Sequence, residues 1–390
     1  LCESFLGFGI EDPEFVRLLA GVGGNRFIEA DIALERCGRR LTELGLKELL
    51  LATDGSQIIP ELEKSEAGKV WLKEFREYLD AYGWRTPRMT EVVLSPYFED
   101  PTSLLETLKS YLNLPEEELP EAREKRLVEE GKQRKERVLS NIPEAEREWF
   151  SELMRSAQLA AVTWDDHDFY IDYPHWVTYR LLAKEGIRRL ITKGVLDPED
   201  EDAYYLLTLP EIVWTIEYAE LYDMRPLVKQ RREAYQWNLT EKQDYPLLLM
   251  RPDCTPEEAM FVMAHDPILR GLGIAQIPKV REELKADLYG FAGAPGVGEG
   301  VARVIWDIEK IGELKVGEVL VCPATYSSWT AAFALCKAVV CDSGGVLAHA
   351  AIVGRDYGIP VVVNAKEATA KIKTGMKVKV DGTNGVVYFL

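Results

Sequence analysis

The stretch CDSGGVLAHAAIVGRDYGIPVVV, residues 341–363, constrains this chain more than any other segment. The short apolar run AVVCDS reads as a buried strand ending at Asp342. Gly344 and Gly345 follow. His349 then stands at the start of a short helix that Gly358 closes, with Pro360 just after it and PVVVNA as the next strand. VARVIWDI, VLVCPA, KVKVDG and VVYFL are further strand signals, and Asn384-Gly385 between the last two marks a hairpin. A compact β/α module is expected over residues 293–390.

Upstream the texture changes. EFVRLLAGVGG, KVWLKEFREYLDAYGW, DPTSLLETLKSYLNL, HWVTYRLLAKEGIRRLITKGVL, TLPEIVWTIEYAELYDM and MRPLVKQRREAYQWN carry apolar residues at helical spacing, with glycine stops and Asp-Pro entries. Strand signals are nearly absent there. The fold class that follows is α+β and multidomain: a mostly helical region over 1–280, a linker or hinge over 281–292, and the β/α domain over 293–390.

With 47 Lys+Arg against 65 Asp+Glu, the net charge is −18, which argues against an extended nucleic-acid or anionic-membrane surface. EAREKRLVEEGKQRKERVL interleaves its basic residues with Glu at helical spacing and reads as a solvated helix face. No apolar run approaches the ~20 residues that span a bilayer. The N-terminus shows no basic n-region or cleavage site, and the missing Met is compatible with a fragment or a trimmed chain. Six cysteines without any CxxC fit a reducing cytoplasm and inert buried thiols.

A histidine at a helix start after two glycines has a specific chemistry open to it. The free N–H groups of the helix N-terminus bind phosphate oxygens. The same positive end disfavours imidazolium and keeps the ring a neutral nucleophile. Glycine lets backbone approach a phosphoryl group without a Cβ in the way. On spacing alone, a capping or core-edge histidine remains open. GGVLAHAAIVGRDYGIPVVV, however, resembles the phosphohistidine signature of the phosphoenolpyruvate-utilising enzymes, the family of the dikinases. GAPGVGEGVARVI, VGEVLVCPATYSSWTAAF and VDGTNGVVY resemble the entry, the central strand and loop, and the final hairpin of their mobile domain. The resemblance implies a swivelling domain in which His349 is phosphorylated, with Gly344, Gly345 and Arg355 on the phosphate. Leu347 and Ala348 depart from the Thr and small polar residue usual in the dikinases, and this is more similar to the rifampin phosphotransferase and phenylphosphate synthase branch.

Domain order points the same way: a helical region precedes the module, and no pyruvate-binding barrel is expected after it. YLDAYGWRTPRMTEVVLSPYFEDP resembles a Gly-x-Arg … Glu-Asp-Pro block of those helical regions, and it brings forward Arg85 as an acceptor- or phosphate-binding residue. WDDHDFYID, residues 164–172, resembles an acidic-His-aromatic stretch of phenylphosphate synthase. There His167 is the candidate base for an acceptor hydroxyl, oriented by Asp165, Asp166 or Asp168. Trp164, Phe169 and Tyr170 are candidate walls of an aromatic pocket. A charged helix start with Asp capping stays open for this segment, as does a metal cluster, although no metal is expected. His175 and His265 read as structural.

GAPGVGEG lacks the Lys-Ser/Thr ending of a P-loop. The resemblance therefore implies an ATP-grasp subunit or domain as partner, with ATP and Mg2+ held there and no cofactor on this chain. The acceptor expected is a small hydroxyl compound, phenol-like. A rifampin-type antibiotic phosphotransferase fragment and a phosphocarrier or regulatory module without its own acceptor site are the alternatives.

Overall fold

A computed structural model describes residues 18, 22–87, 92–240, 255, 282–306, 308–326 and 329–390. Its longer helices are α1 (Arg26–Glu43), α2 (Glu66–Tyr82), α3 (Thr102–Tyr111), α4 (Pro120–Ser140), α5 (Arg147–His167), α6 (Tyr173–Thr192), α7 (Leu209–Glu217), α8 (Arg225–Thr240) and α9 (His349–Tyr357). The mostly helical first region and the sheet domain after it give the α+β multidomain class read from the sequence. The helix read over EFVRLLAGVGG, His265 and the start of the linker lie outside the described residues. Among the described residues, no helix is long and apolar enough to cross a membrane.

Local chemistry sets the helix ends. Asn25 accepts from the Phe27 and Ile28 amides and starts α1. Ser65 accepts from the Gly68 amide and starts α2, which ends at Gly83 as its pattern predicts. Thr208 and Glu211 form a reciprocal capping box at α7. On α2, Trp71, Leu72, Phe75, Tyr78 and Leu79 recur at helical spacing and are buried. Arg180 of α6 is a buried hub: it donates to the Val92 and Val93 carbonyls, the Tyr204 hydroxyl and the Glu99 carboxylate, fixing the Ser95–Glu99 segment.

The C-terminal domain holds strands β1 (Leu288–Tyr289), β2 (Phe291–Ala294), β3 (Val297–Val304), β4 (Val319–Cys322), β5 (Ala338–Cys341), β6 (Val361–Val363), β7 (Lys377–Asp381) and β8 (Val386–Phe389). Their order is β1-β8-β7-β3-β4-β5-β6-β2, with β3 to β6 parallel and the rest antiparallel. β1 and β2 stand at opposite ends of that order, yet only Gly290 separates them in the chain. Seven strand spacings of about 4.8 Å would hold the ends of a flat sheet roughly 34 Å apart. Two residue steps reach only about 7 Å. The sheet therefore curls until its ends meet, and Gly290 N–H donates to the Gly385 carbonyl at the seam (2.8 Å). Gly385, in the hairpin read from Asn384-Gly385, has φ +67°, and a Cβ there would lie 2.8 Å from Gly290 O. Leu288–Ala294, largely within the stretch read as linker, thus supplies two strands of this sheet. GAPGVGEG runs strand, turn, strand, whereas a P-loop opens a helix.

One apolar core runs through both regions. Leu34, Phe75, Leu105 and Leu108 of the helices share it with Leu320, Phe333, Val353 and Tyr357 of the sheet domain. α4 is mostly solvated, as its charge pattern predicts, but Arg123 is buried and donates to the Phe333 carbonyl. On the domain side, α9 lies close on the sheet: a Cβ at Gly354 would sit 2.3 Å from Val361 Cγ2 and 3.0 Å from Ala294 Cβ. Gly354→Ala is expected to lower unfolding free energy by roughly 1–3 kcal/mol through overpacking, measured by denaturant titration. Unchanged stability would show that α9 can slide off the strands at no cost.

Candidate functional site

β4 and β5 are parallel and in register, Cys322 opposite Cys341. Their carboxyl ends release two neighbouring loops, the place where α/β sheets put their ligand sites. One loop carries Thr325 and the other carries Gly344 and Gly345. Gly344 has φ +117°, and a Cβ there would meet Ala348 Cβ at 3.0 Å, so the turn into α9 needs glycine. Ala348 is the extended N-cap residue and His349 the first residue of α9. Gly358 ends the helix in the left-handed conformation, as its position before Pro360 predicts.

Both ring nitrogens of His349 meet hydroxyls of buried threonines. Thr325 Oγ1 lies 2.9 Å from Nδ1 and Thr330 Oγ1 3.3 Å from Nε2. Phe333 packs its ring against His349 at 6.2 Å between centroids and against Tyr357 at 6.4 Å. Burial pushes the His349 imidazolium down to about 3 although the residue keeps an exposed edge, so the ring is neutral at physiological pH. In the tautomer with Nδ1–H donated to Thr325, Thr330 donates to the Nε2 lone pair and has to turn away before that nitrogen can attack. Arg355 is buried, and its Nη1 donates to the Gly293 (2.8 Å) and Val346 (2.9 Å) carbonyls. It thereby ties the loop before His349 to β2.

Beside Thr330 lies a small cavity between the two regions, lined by Asp31, Arg85, Tyr97, Thr107, Ile308 and Ala332 among others. Its volume, taken over the positions a water centre can occupy, is about 20 Å3. Arg85 is buried; it donates from Nε to the Tyr82 carbonyl at the end of α2 and from Nη2 to the Tyr78 hydroxyl. It therefore closes a helix terminus and faces the cavity. Asp31, which no motif marks, is 2% exposed, and its Oδ2 accepts from the Tyr357 hydroxyl (2.5 Å). Burial raises the Asp31 carboxyl to about 6, against the pull of Arg85 and Tyr357.

The segment 164–172 divides in two. Asp166 Oδ1 accepts from the Arg26 amide at the start of α1, and Phe169 packs edge-on against Phe27. The Arg26 guanidinium lies over the rings of Phe169, Tyr170 and Tyr82. His167 Nε2 instead meets Asp168 Oδ1 (3.2 Å) and Asp172 Oδ2 (3.1 Å) across a π-helical turn, Asp168–Asp172. The ligand atoms of these three lie within 4.8 Å of one another, close enough to share a cation. His167 does not line the cavity beside Thr330. The side chains of Trp164 and Asp165 lie outside the described residues. His175 is exposed and edges against Trp176.

The depressed His349 value has a direct readout. Between pH 5 and 8 the ring is expected to hold one neutral state, because its folded value lies below that window. Side-chain nitrogen NMR shifts should stay flat there, and a midpoint near 6.5 would place the ring in water.

Residues 314–385 match the model of the PEP-utilising enzyme, mobile domain, and residues 2–163 match the rifampicin phosphotransferase fourth domain. Relatives include chondramide synthase cmdD of Chondromyces crocatus, 30% identical over 94% of this chain. The uncharacterized phosphotransferase YvkC of Bacillus subtilis is 27% identical over 97%, and rifampicin phosphotransferase of the same organism is 28% identical over 84%. The chain spans 9%, 43% and 36% of these relatives' lengths. With a rifampicin phosphotransferase fourth domain leading into a PEP-utilising mobile domain, the chain belongs to the PEP-utilising, dikinase-type family.

Proposed function

We propose that this chain is the phosphoryl-carrying and acceptor-holding part of a phosphotransferase. His349 Nε2 takes a phosphoryl group from an ATP-grasp domain or subunit, where ATP and Mg2+ are bound. It passes the group to a hydroxyl acceptor held by the helical region. The observation that carries this reading is the placement of His349: a neutral ring at a helix N-terminus, with Thr330 spanning from Nε2 to a cavity walled by Asp31 and Arg85. A single carrier serving two distant sites requires the sheet domain to travel, with the part of the 281–292 stretch ahead of strand β1 as its hinge.

With an ATP-grasp partner and β- or γ-labelled ATP, the chain is expected to acquire an acid-labile, base-stable label. His349→Ala should abolish it, and equal labelling of that variant sinks the proposal.

Acceptor class is the finer question. A small, phenol-like acceptor is favoured by the narrowness of the cavity, which admits the hydroxyl and leaves the acceptor's body to be housed when the sheet domain shifts. A rifampicin-type acceptor is favoured by the match over residues 2–163 and by the relatives of that name. Phosphorylated chain offered phenol, small alcohols and rifampicin in parallel separates the two. Transfer to phenols and none to rifampicin supports the first, and the reverse pattern the second.

A further inference from the structure

We propose that Asp31 accepts the proton of the acceptor hydroxyl as the phosphoryl group leaves His349, with Arg85 steadying the negative charge on the entering oxygen. This rests on the phosphocarrier reading above. A phosphoryl group on Nε2 points where the Thr330 hydroxyl now lies, and that hydroxyl borders the cavity. Asp31 and Arg85 line the same cavity. The space between admits a group the size of one water, which is the size of a hydroxyl. Arg85 is a fixed positive charge there, locked by Tyr82 and Tyr78.

Asp31 is suited to the role by what surrounds it. Tyr357 of α9 donates to Oδ2. Tyr78 of α2, Arg85 and Tyr97 of the following segment, Tyr111 of α3 and Glu35 of its own helix complete the titratable groups close by, with Arg123 of α4 beyond Tyr357. A carboxylate that burial holds near 6 is ionised at neutral pH and basic enough to take a proton in flight.

The step balances. The acceptor oxygen bonds to phosphorus, the P–Nε2 bond breaks, and its electron pair stays on Nε2. The acceptor's proton goes to Asp31, and His349 is left neutral with Nδ1–H on Thr325. His167, the base read from sequence, pairs with Asp168 and Asp172 and does not line this cavity.

The test uses the full chain with its ATP-grasp partner, charged with labelled ATP and then mixed with phenol, 4-nitrophenol or rifampicin in single turnovers. Asp31→Asn is expected to acquire the His349 label normally and to transfer it roughly 10²–10⁴-fold more slowly. The more acidic 4-nitrophenol should recover part of that loss relative to phenol. In the unaltered chain, transfer should rise with pH through about 6 and then level off. This rise can be read even if the variant fails to fold. A flat profile from pH 5 to 8 overturns the proposal, as does an equal loss for every acceptor. So does loss of the acid limb in His167→Ala while Asp31→Asn keeps it. Absent labelling of His349 overturns instead the carrier reading beneath. Labelling without transfer to any of the three probes removes the acceptor site and this role with it.

Discussion

The site exists because two regions far apart in the chain share one apolar core. Phe333, Val353 and Tyr357 of the sheet domain are buried with Leu34, Phe75, Leu105 and Leu108 of the helices. That burial seats α9 against α1 and α4, and α9 carries His349 on its first turn. The polar contacts across the seam, Tyr357 to Asp31 and Arg123 to the Phe333 carbonyl, are few and directional. They set the register of the seating, while apolar area supplies its strength. Without this contact Thr330 would face water, and Arg85 and Asp31 would be two buried charges in a helical bundle with nothing opposite them.

Electrostatics follow from the same burial. His349 is held neutral and Asp31 is held near the middle of the physiological range by loss of water, one as a depressed base and the other as a raised acid. Opposite shifts on neighbouring groups are the pattern that would separate a nucleophile from a base in the proposed transfer. Arg85 keeps Asp31 from rising further.

Much of this was legible in the sequence, for physical reasons that can be named. Strand, two glycines, His349, Gly358 and Pro360 is a chain of local conformational demands, and each is met where it was read. Arg85 stood out by its Gly-x-Arg context. Asp31 did not, because ADIALE is an ordinary helix stretch, and its carboxylate becomes special only through a partner 326 residues away. His167 drew attention by composition, yet composition does not say which side of a helix start a cluster will take. Asp166 and Phe169 of the same cluster anchor α1, a packing role that periodicity alone does not distinguish from a site. GFAGAP looked like a linker because small residues pack without an alternating pattern, and they do so here where two sheet ends close.

That closure matters for a part proposed to change places. A sheet with open sides offers rows of unpaired amides and carbonyls to any strand it passes, and such sides invite misassembly. Because β1 and β2 are joined through Gly290, the barrel leaves little open rim along its length. A body built this way can leave one berth and enter another with only side-chain surface to negotiate, so its itinerary is written in shape and charge and not in backbone pairing.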